Sequence, residues 1–149
     1  MKTYFFFVIV FLLIGSQLSF SQGNNLQQNL GTKNKIQAET VIFNDVESSI
    51  LTNDIKLISK YFSPQPYISL VNGVNGYYSA NQTYYIIEDF LSNYRVVSFK
   101  IAETKTEGTI SHGRGDYFFE KKGKREVAHL YVTLTKSGDK WQITQISIN

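Results

Sequence analysis

Cysteine is absent from the 149 residues, which removes disulfides, thiolate metal sites, a cysteine nucleophile and a lipid-modified N-terminal cysteine together. Histidine is scarce: His112 and His129 are the only two, and neither shows the His-x-His or His-x-x-x-His spacing of a metal site. There is no Gly-rich phosphate loop, no His-Glu-x-x-His and no Gly-x-Ser-x-Gly, so nucleotide hydrolysis, zinc proteolysis and that hydrolase class have no support. No cofactor or metal is expected.

Long apolar runs are equally few. The single one, Tyr4 to Ile14, follows Lys2; it is shorter than the roughly 20 residues of a membrane span and suits the core of a signal peptide. Ser19 and Ser21 place small residues at −3 and −1 of a cleavage site, so residues 1–21 read as a signal peptide and the mature chain as an exported protein, periplasmic or secreted. No integral membrane segment is expected after cleavage. Lys2 is the only charge in that segment, leaving 14 basic against 12 acidic residues. That balance is too small to imply nucleic-acid binding.

What is present organises as one domain. Residues 22–39 are rich in Asn, Gln, Gly and Lys and read as a flexible leader. Phe43, Val46 and Ile50 recur at helical spacing, Asn53-Asp54 break the pattern, and Ile55, Ile58 and Phe62 predict a second short helix ended by Pro64-Gln65-Pro66. Tyr67 to Val71 alternates as a strand, and Asn72 to Gly76 supplies a turn. Ser79 with Gln82 forms a capping box, opening a helix with Ile87, Phe90, Leu91 and Tyr94 on one face. Four strands complete the chain: Arg95 to Thr106, Thr109 to Lys121, Glu126 to Lys136 and Lys140 to Ile148. Short turns join them as antiparallel hairpins. Val97, Phe99 and Ile101 share one side, as do Ala128, Leu130, Val132 and Leu134, and those sides are expected to cover the helices. The last strand slips by one residue at Thr144-Gln145, which predicts a β-bulge and a bent sheet.

This order of elements resembles the nuclear transport factor 2-like, cystatin-like α+β superfamily over residues 40–149. More narrowly, it resembles an exported bacterial family, domain of unknown function 4783. The residues carrying the likeness are Asn53-Asp54 before Leu57 to Ser63, then Gly76 to Gln82 opening the helix that ends Asp89-Phe90-Leu91. The resemblance implies a cone: three N-terminal helices packed in a strongly bent antiparallel sheet. Its enzymes place a carboxylate or histidine base and a tyrosine or acid donor inside that cone. No residue-by-residue match to such a motif is found here.

Candidate chemistry is therefore read from single residues. Glu103 shares the parity of Phe99 and Ile101, so unless a bulge intervenes it points toward the cone as a general base, with Tyr117 or Tyr85 donating a hydrogen bond. The competing reading is an exposed strand end. His112 and His129 lie on the parity opposite the core and read as surface or interface residues. Arg114-Gly115-Asp116 spells an adhesion tripeptide, yet it sits inside a predicted strand. Asn81-Gln82-Thr83 matches a glycosylation acceptor inside a helix. Lys121 to Arg125 concentrates four positive charges at a hairpin tip, which a solvated turn also explains. The tyrosines exceed what a core needs; Tyr77, Tyr78, Tyr131 and His129 are expected at a ligand or partner surface. Two readings follow. The leading one is a noncatalytic module binding a partner or a small apolar or glycan-like ligand, with a homodimer through the outer sheet face, where Val127, His129, Tyr131 and Thr133 align. The alternative is a proton-transfer enzyme, of isomerase or dehydratase type, on a small apolar substrate in the cone.

Overall fold

The computed structural model describes residues 37–149. The expected signal peptide, its cleavage site and most of the leader lie outside them. Helix α1 (Ala38–Thr52) buries Ile42, Phe43, Val46 and Ile50 and ends at Asn53, whose positive φ of 54° closes the helix. The Ser49 hydroxyl donates to the Asp54 carbonyl at 2.8 Å and fixes the bend into α2 (Lys56–Ser59).

Strand β1 (Phe62–Leu70) begins earlier than the alternation suggests and contains both prolines expected to end a helix. Phe62 pairs with Ile143, and pairing resumes only at Tyr67 with Gln145. The prolines, which have no N–H to donate, occupy the interruption in the ladder. The expected turn at Asn72–Gly76 is in part a strand: β2 (Asn75–Tyr77) pairs antiparallel with β1. Helix α3 (Ala80–Asn93) opens on the expected capping box, with the Gln82 amide donating to the Ser79 hydroxyl and the Ser79 amide to the Gln82 side chain.

The rest of the sheet is β3 (Arg95–Glu107), β4 (Ile110–Lys121), β5 (Lys124–Ser137) and β6 (Lys140–Ile148). The spatial order is β2-β1-β6-β5-β4-β3. Since β1 runs parallel to β6, the sheet is mixed rather than wholly antiparallel. The third helix also enters after β1 and β2, so the helices are not all N-terminal to the strands. The anticipated bulge is present: Thr133 pairs with Gln145 and Leu134 with Ile143, leaving Thr144 as the extra residue of β6.

One face of the sheet carries the helices. Gly113 of β4 lies under Phe43 of α1, where a Cβ would come within 2.6 Å of the ring. Gly115 lies under β3, where a Cβ would stand 2.0 Å from the Lys100 carbonyl oxygen. Between these contacts the interior is filled by fully buried side chains, among them Tyr117, Phe90, Ile68 and Leu130. Tyr94 stacks on Phe90 with ring centroids 4.4 Å apart.

Candidate functional site

Two of the strands keep strict alternation, and this decides what reaches solvent. In β4, Ser111, Gly113, Gly115, Tyr117 and Phe119 are buried while His112, Arg114, Asp116 and Phe118 are exposed. Their partners across β5 repeat the division: Asp116 faces His129, Arg114 faces Tyr131 and His112 faces Thr133. The outer face is thus a lattice of polar and aromatic rungs.

Strand β3 departs from alternation twice, with extra residues at Val97 and at Ala102. The first turns Val97 outward, 43% exposed, and lets Val96 pack on the core in its place. The second is the bulge on which the facing of Glu103 depended, and it decides for the exposed reading over the cone. After Ala102 the parity reverses, and Glu103 stands on the outer face paired with Arg114, Oε2 to Nη2 at 2.6 Å and to Nε at 2.8 Å. This carboxylate holds the Arg114 guanidinium above its ordinary pKa, through the hydrogen bond first and charge second. The bulge has a counterpart on α1, because the Ile101 amide donates to Glu47 Oε2 at 3.1 Å.

The other two catalytic candidates are not brought to Glu103. Tyr117 is wholly buried, its hydroxyl donates to the Tyr94 carbonyl, and burial pushes its phenol well above the usual range. Tyr85 is 59% exposed on α3. Of the expected surface residues, Tyr77 and Tyr131 are exposed, Tyr78 is half-buried against the core, and His129 Nδ1 lies 2.9 Å from Asp116 Oδ1. His112 contacts the Thr133 hydroxyl at 3.3 Å, four rungs from Asp116–His129 on the same face. The adhesion tripeptide crosses the middle of the sheet with its glycine under β3, not at a loop tip. The basic hairpin turns through Lys122 and Gly123, both at positive φ, while Lys121 bonds the Tyr94 hydroxyl at 2.6 Å.

Three adjoining depressions open on the outer face. One of about 560 Å³ is lined by Tyr131, His112, Arg114, Thr133, Gln145 and Ser147. A second, of about 450 Å³, shares Glu103, Arg114 and Tyr131 with it and extends toward Asp116 and His129. The third, about 500 Å³, shares Gln145 and reaches Gln65, Tyr67 and Tyr77. Gln145 and Tyr67 were not singled out from sequence as site residues, and Arg114 only within the adhesion tripeptide. For Arg114 the signal was available, since it lies on the parity of His112. Among the described residues no group of three or more His, Asp and Glu side chains is placed to hold a metal ion, and no helix is long and apolar enough to cross a membrane.

Residues 43–149 match the family described as domain of unknown function (DUF4783). The chain belongs to that family. Its structure is similar to a DUF4783 protein of Bacteroides uniformis, at 16% identity and a TM-score of 0.64, over 71% of this chain and 94% of that one. A second DUF4783 protein, from Bacteroides ovatus, aligns at 15% identity and a TM-score of 0.61, over 70% of this chain and 90% of the other. A cystatin-fold protein of Novosphingobium aromaticivorans aligns over 72% and 94% of the two chains, with 12% identity and a TM-score of 0.56. With the likeness to a designed protein, Rd1NTF2_05, at 14% identity and a TM-score of 0.58 over 72% of this chain and 93% of that one, these show a nuclear-transport-factor-2-like, cystatin-like α+β fold. No curated protein matches the chain.

Proposed function

We propose that this DUF4783 chain is an exported, noncatalytic binding module that works through the outer face of its sheet. The observation carrying this reading is that three contiguous depressions lie on that face, the first sharing Glu103, Arg114 and Tyr131 with the second and Gln145 with the third. The opposite face is occupied by packed side chains. Concave sites with aromatic walls and a few oriented polar groups are what ligand recognition uses. The reading keeps residues 1–21 as signal peptide, 22–39 as leader and 40–149 as the folded part, although α1 already starts at Ala38. N-terminal sequencing of protein recovered from the cell envelope or medium tests export: a start near Gln22 supports it, and intact Met1 on cytoplasmic protein overturns it. The enzymatic alternative has less to stand on, because Glu103, Tyr117 and Tyr85 are separated by the sheet and by α3.

A specific observation favours self-association as a second reading. Val97, Phe118 and Val127, 43–54% exposed, meet at one corner of the outer face, with Phe118 directly opposite Val127 in the ladder. Such a corner, continuous with Tyr131 through His129, suits a two-fold pair of faces. Sedimentation of the mature domain alongside Tyr131→Lys tests it, since a lysine in a two-fold interface loses hydration and meets its like-charged copy. A concentration-independent monomer, or a dimer untouched by the substitution, removes this surface.

A further inference from the structure

The outer face is unevenly furnished. The charged side chains that line its depressions are already matched within the chain: Glu103 with Arg114 at 2.6 Å, Asp116 with His129 at 2.9 Å, and Lys105 with Glu107 at 2.6 Å. A polyanion therefore finds no unpaired lysine or arginine among the residues that line this groove. What remains for a ligand is neutral: the carboxamides of Gln65 and Gln145, the Thr133 hydroxyl and the rings of Tyr131, Tyr67 and Tyr77.

The rings form two stations. Tyr67 and Tyr77 are cross-strand partners with centroids 5.1 Å apart in an edge-to-face arrangement, and the Tyr67 hydroxyl donates to Asn75 Oδ1 at 2.5 Å, which fixes its ring. Tyr77 is 74% exposed. The other station is Tyr131, in β5. Gln145 of β6 lies between, paired laterally with Thr133 on one side and Tyr67 on the other. Strand spacing and rise put the stations roughly 12 Å apart on one surface. An aromatic platform at each end with carboxamides between matches a ligand that alternates apolar ring faces with rims of hydroxyls, each able to donate and accept.

We propose that the groove from Tyr131 across Gln145 to the Tyr67–Tyr77 pair is a subsite for an uncharged oligosaccharide longer than a single sugar ring. The inference rests on the outer-face binding reading and narrows it to one ligand chemistry. Pyranose C–H faces stack on Tyr131 and Tyr77, Gln145 and Thr133 bond the hydroxyls between them, and the Glu103–Arg114 pair offers an acceptor and a donor at one end.

Isothermal titration of the mature protein with cellohexaose, xylohexaose, mannohexaose and maltohexaose, and with the corresponding disaccharides, tests the proposal, with heparin as a polyanion control. At least one hexaose binds, and its disaccharide binds about tenfold more weakly because it reaches only one station. Tyr131→Ala and Tyr77→Ala each weaken the hexaose about tenfold, Tyr131→Phe keeps it, and Tyr85→Ala on α3 leaves it unchanged. Circular dichroism checks that each variant is folded. Binding of heparin alone, or of no hexaose at millimolar concentration, overturns the oligosaccharide assignment. If sedimentation meanwhile shows a dimer broken by Tyr131→Lys, the outer-face reading survives without it. Hexaose binding indifferent to both Tyr131→Ala and Tyr77→Ala overturns both.

Discussion

Leu130 and Tyr131 are neighbours in β5, yet the first is fully buried and the second is 43% exposed above Arg114. The same split runs along β4, where Gly113, Gly115 and Tyr117 meet the helices and β3 while His112, Arg114 and Asp116 meet water. One strand pair thus serves two purposes. Its inner side is packed so tightly that two positions admit only glycine. Its outer side is held by exposed ion pairs and hydrogen bonds, which contribute little to stability and so leave side-chain identity free for recognition.

That contrast predicts a graded series of substitutions. Gly115→Val sits at the extreme: with a Cβ 2.0 Å from the Lys100 backbone oxygen, β3 must detach, and we expect loss of at least about 4 kcal/mol or no folded protein in urea titrations. Survival of a native-like variant would contradict the close approach. Next is the neighbouring pair: Leu130→Ala should cost about 2–5 kcal/mol by cavity formation, against under about 1 kcal/mol for Tyr131→Ala. Equal losses would mean that the two faces are not distinct.

Tyr117→Phe sharpens the comparison on the inner side alone. At neutral pH it should cost about 1–3 kcal/mol, the hydroxyl's bond to the Tyr94 carbonyl being lost while that oxygen stays buried. The sign changes in alkali. Burial raises the folded phenol's pKa, so its stabilising contribution is complete below the unfolded value near 10 and declines above it by up to about 1.4 kcal/mol per pH unit. Denaturant titrations through that range should therefore show the variant losing stability less steeply than the parent. Smallest of all is Glu103→Gln on the outer side, expected to lower stability less than any substitution above, and less at high salt than at low. A larger loss would show that the Glu103–Arg114 pair holds the second β3 bulge rather than simply lying on it.

How far these faces were legible depended on where the ladder keeps step. Ala128, Leu130, Val132 and Leu134 alternate without interruption, so β5 could be assigned both its faces from sequence, and with them the exposure of His129 and Tyr131. The slip between Ile143 and Ile146 likewise marked the Thr144 bulge, because apolar residues flank it on both sides. In β3 the same device left no trace: Val96 and Val97 are interchangeable in hydrophobicity, and Ala102 precedes a run of polar residues that fits either parity. The face of Glu103 stayed open between the cone and an exposed strand end for that reason. Strand β1 was shortened because two prolines usually end an element, and β2 was read as turn because its Asn and Gly are turn formers. Both depend on pairings with distant chain that local composition does not reveal. The groove combines these cases, with Tyr131 readable from β5 and the Glu103–Arg114 pair dependent on a bulge.

The parallel ladder between β1 and β6 has a kinetic consequence. Each of the β3–β4, β4–β5 and β5–β6 pairs can zip from a tight turn, whereas Ile68 and its partner Ile146 must find one another across about 80 residues of intervening chain, at a correspondingly greater loop-closure cost. The sheet therefore has a seam. Three hairpins on one side of it can form early, and the β1–β2 hairpin joins only when β6 is in place between β1 and β5. Being parallel and interrupted at the prolines, this ladder is also where partial opening is expected to begin. Native-state amide exchange would record the seam as faster exchange at Tyr67 and Ser69, whose amides alternate with the Leu70 amide bonded to Val74 and so face β6, than at Leu130 and Val132.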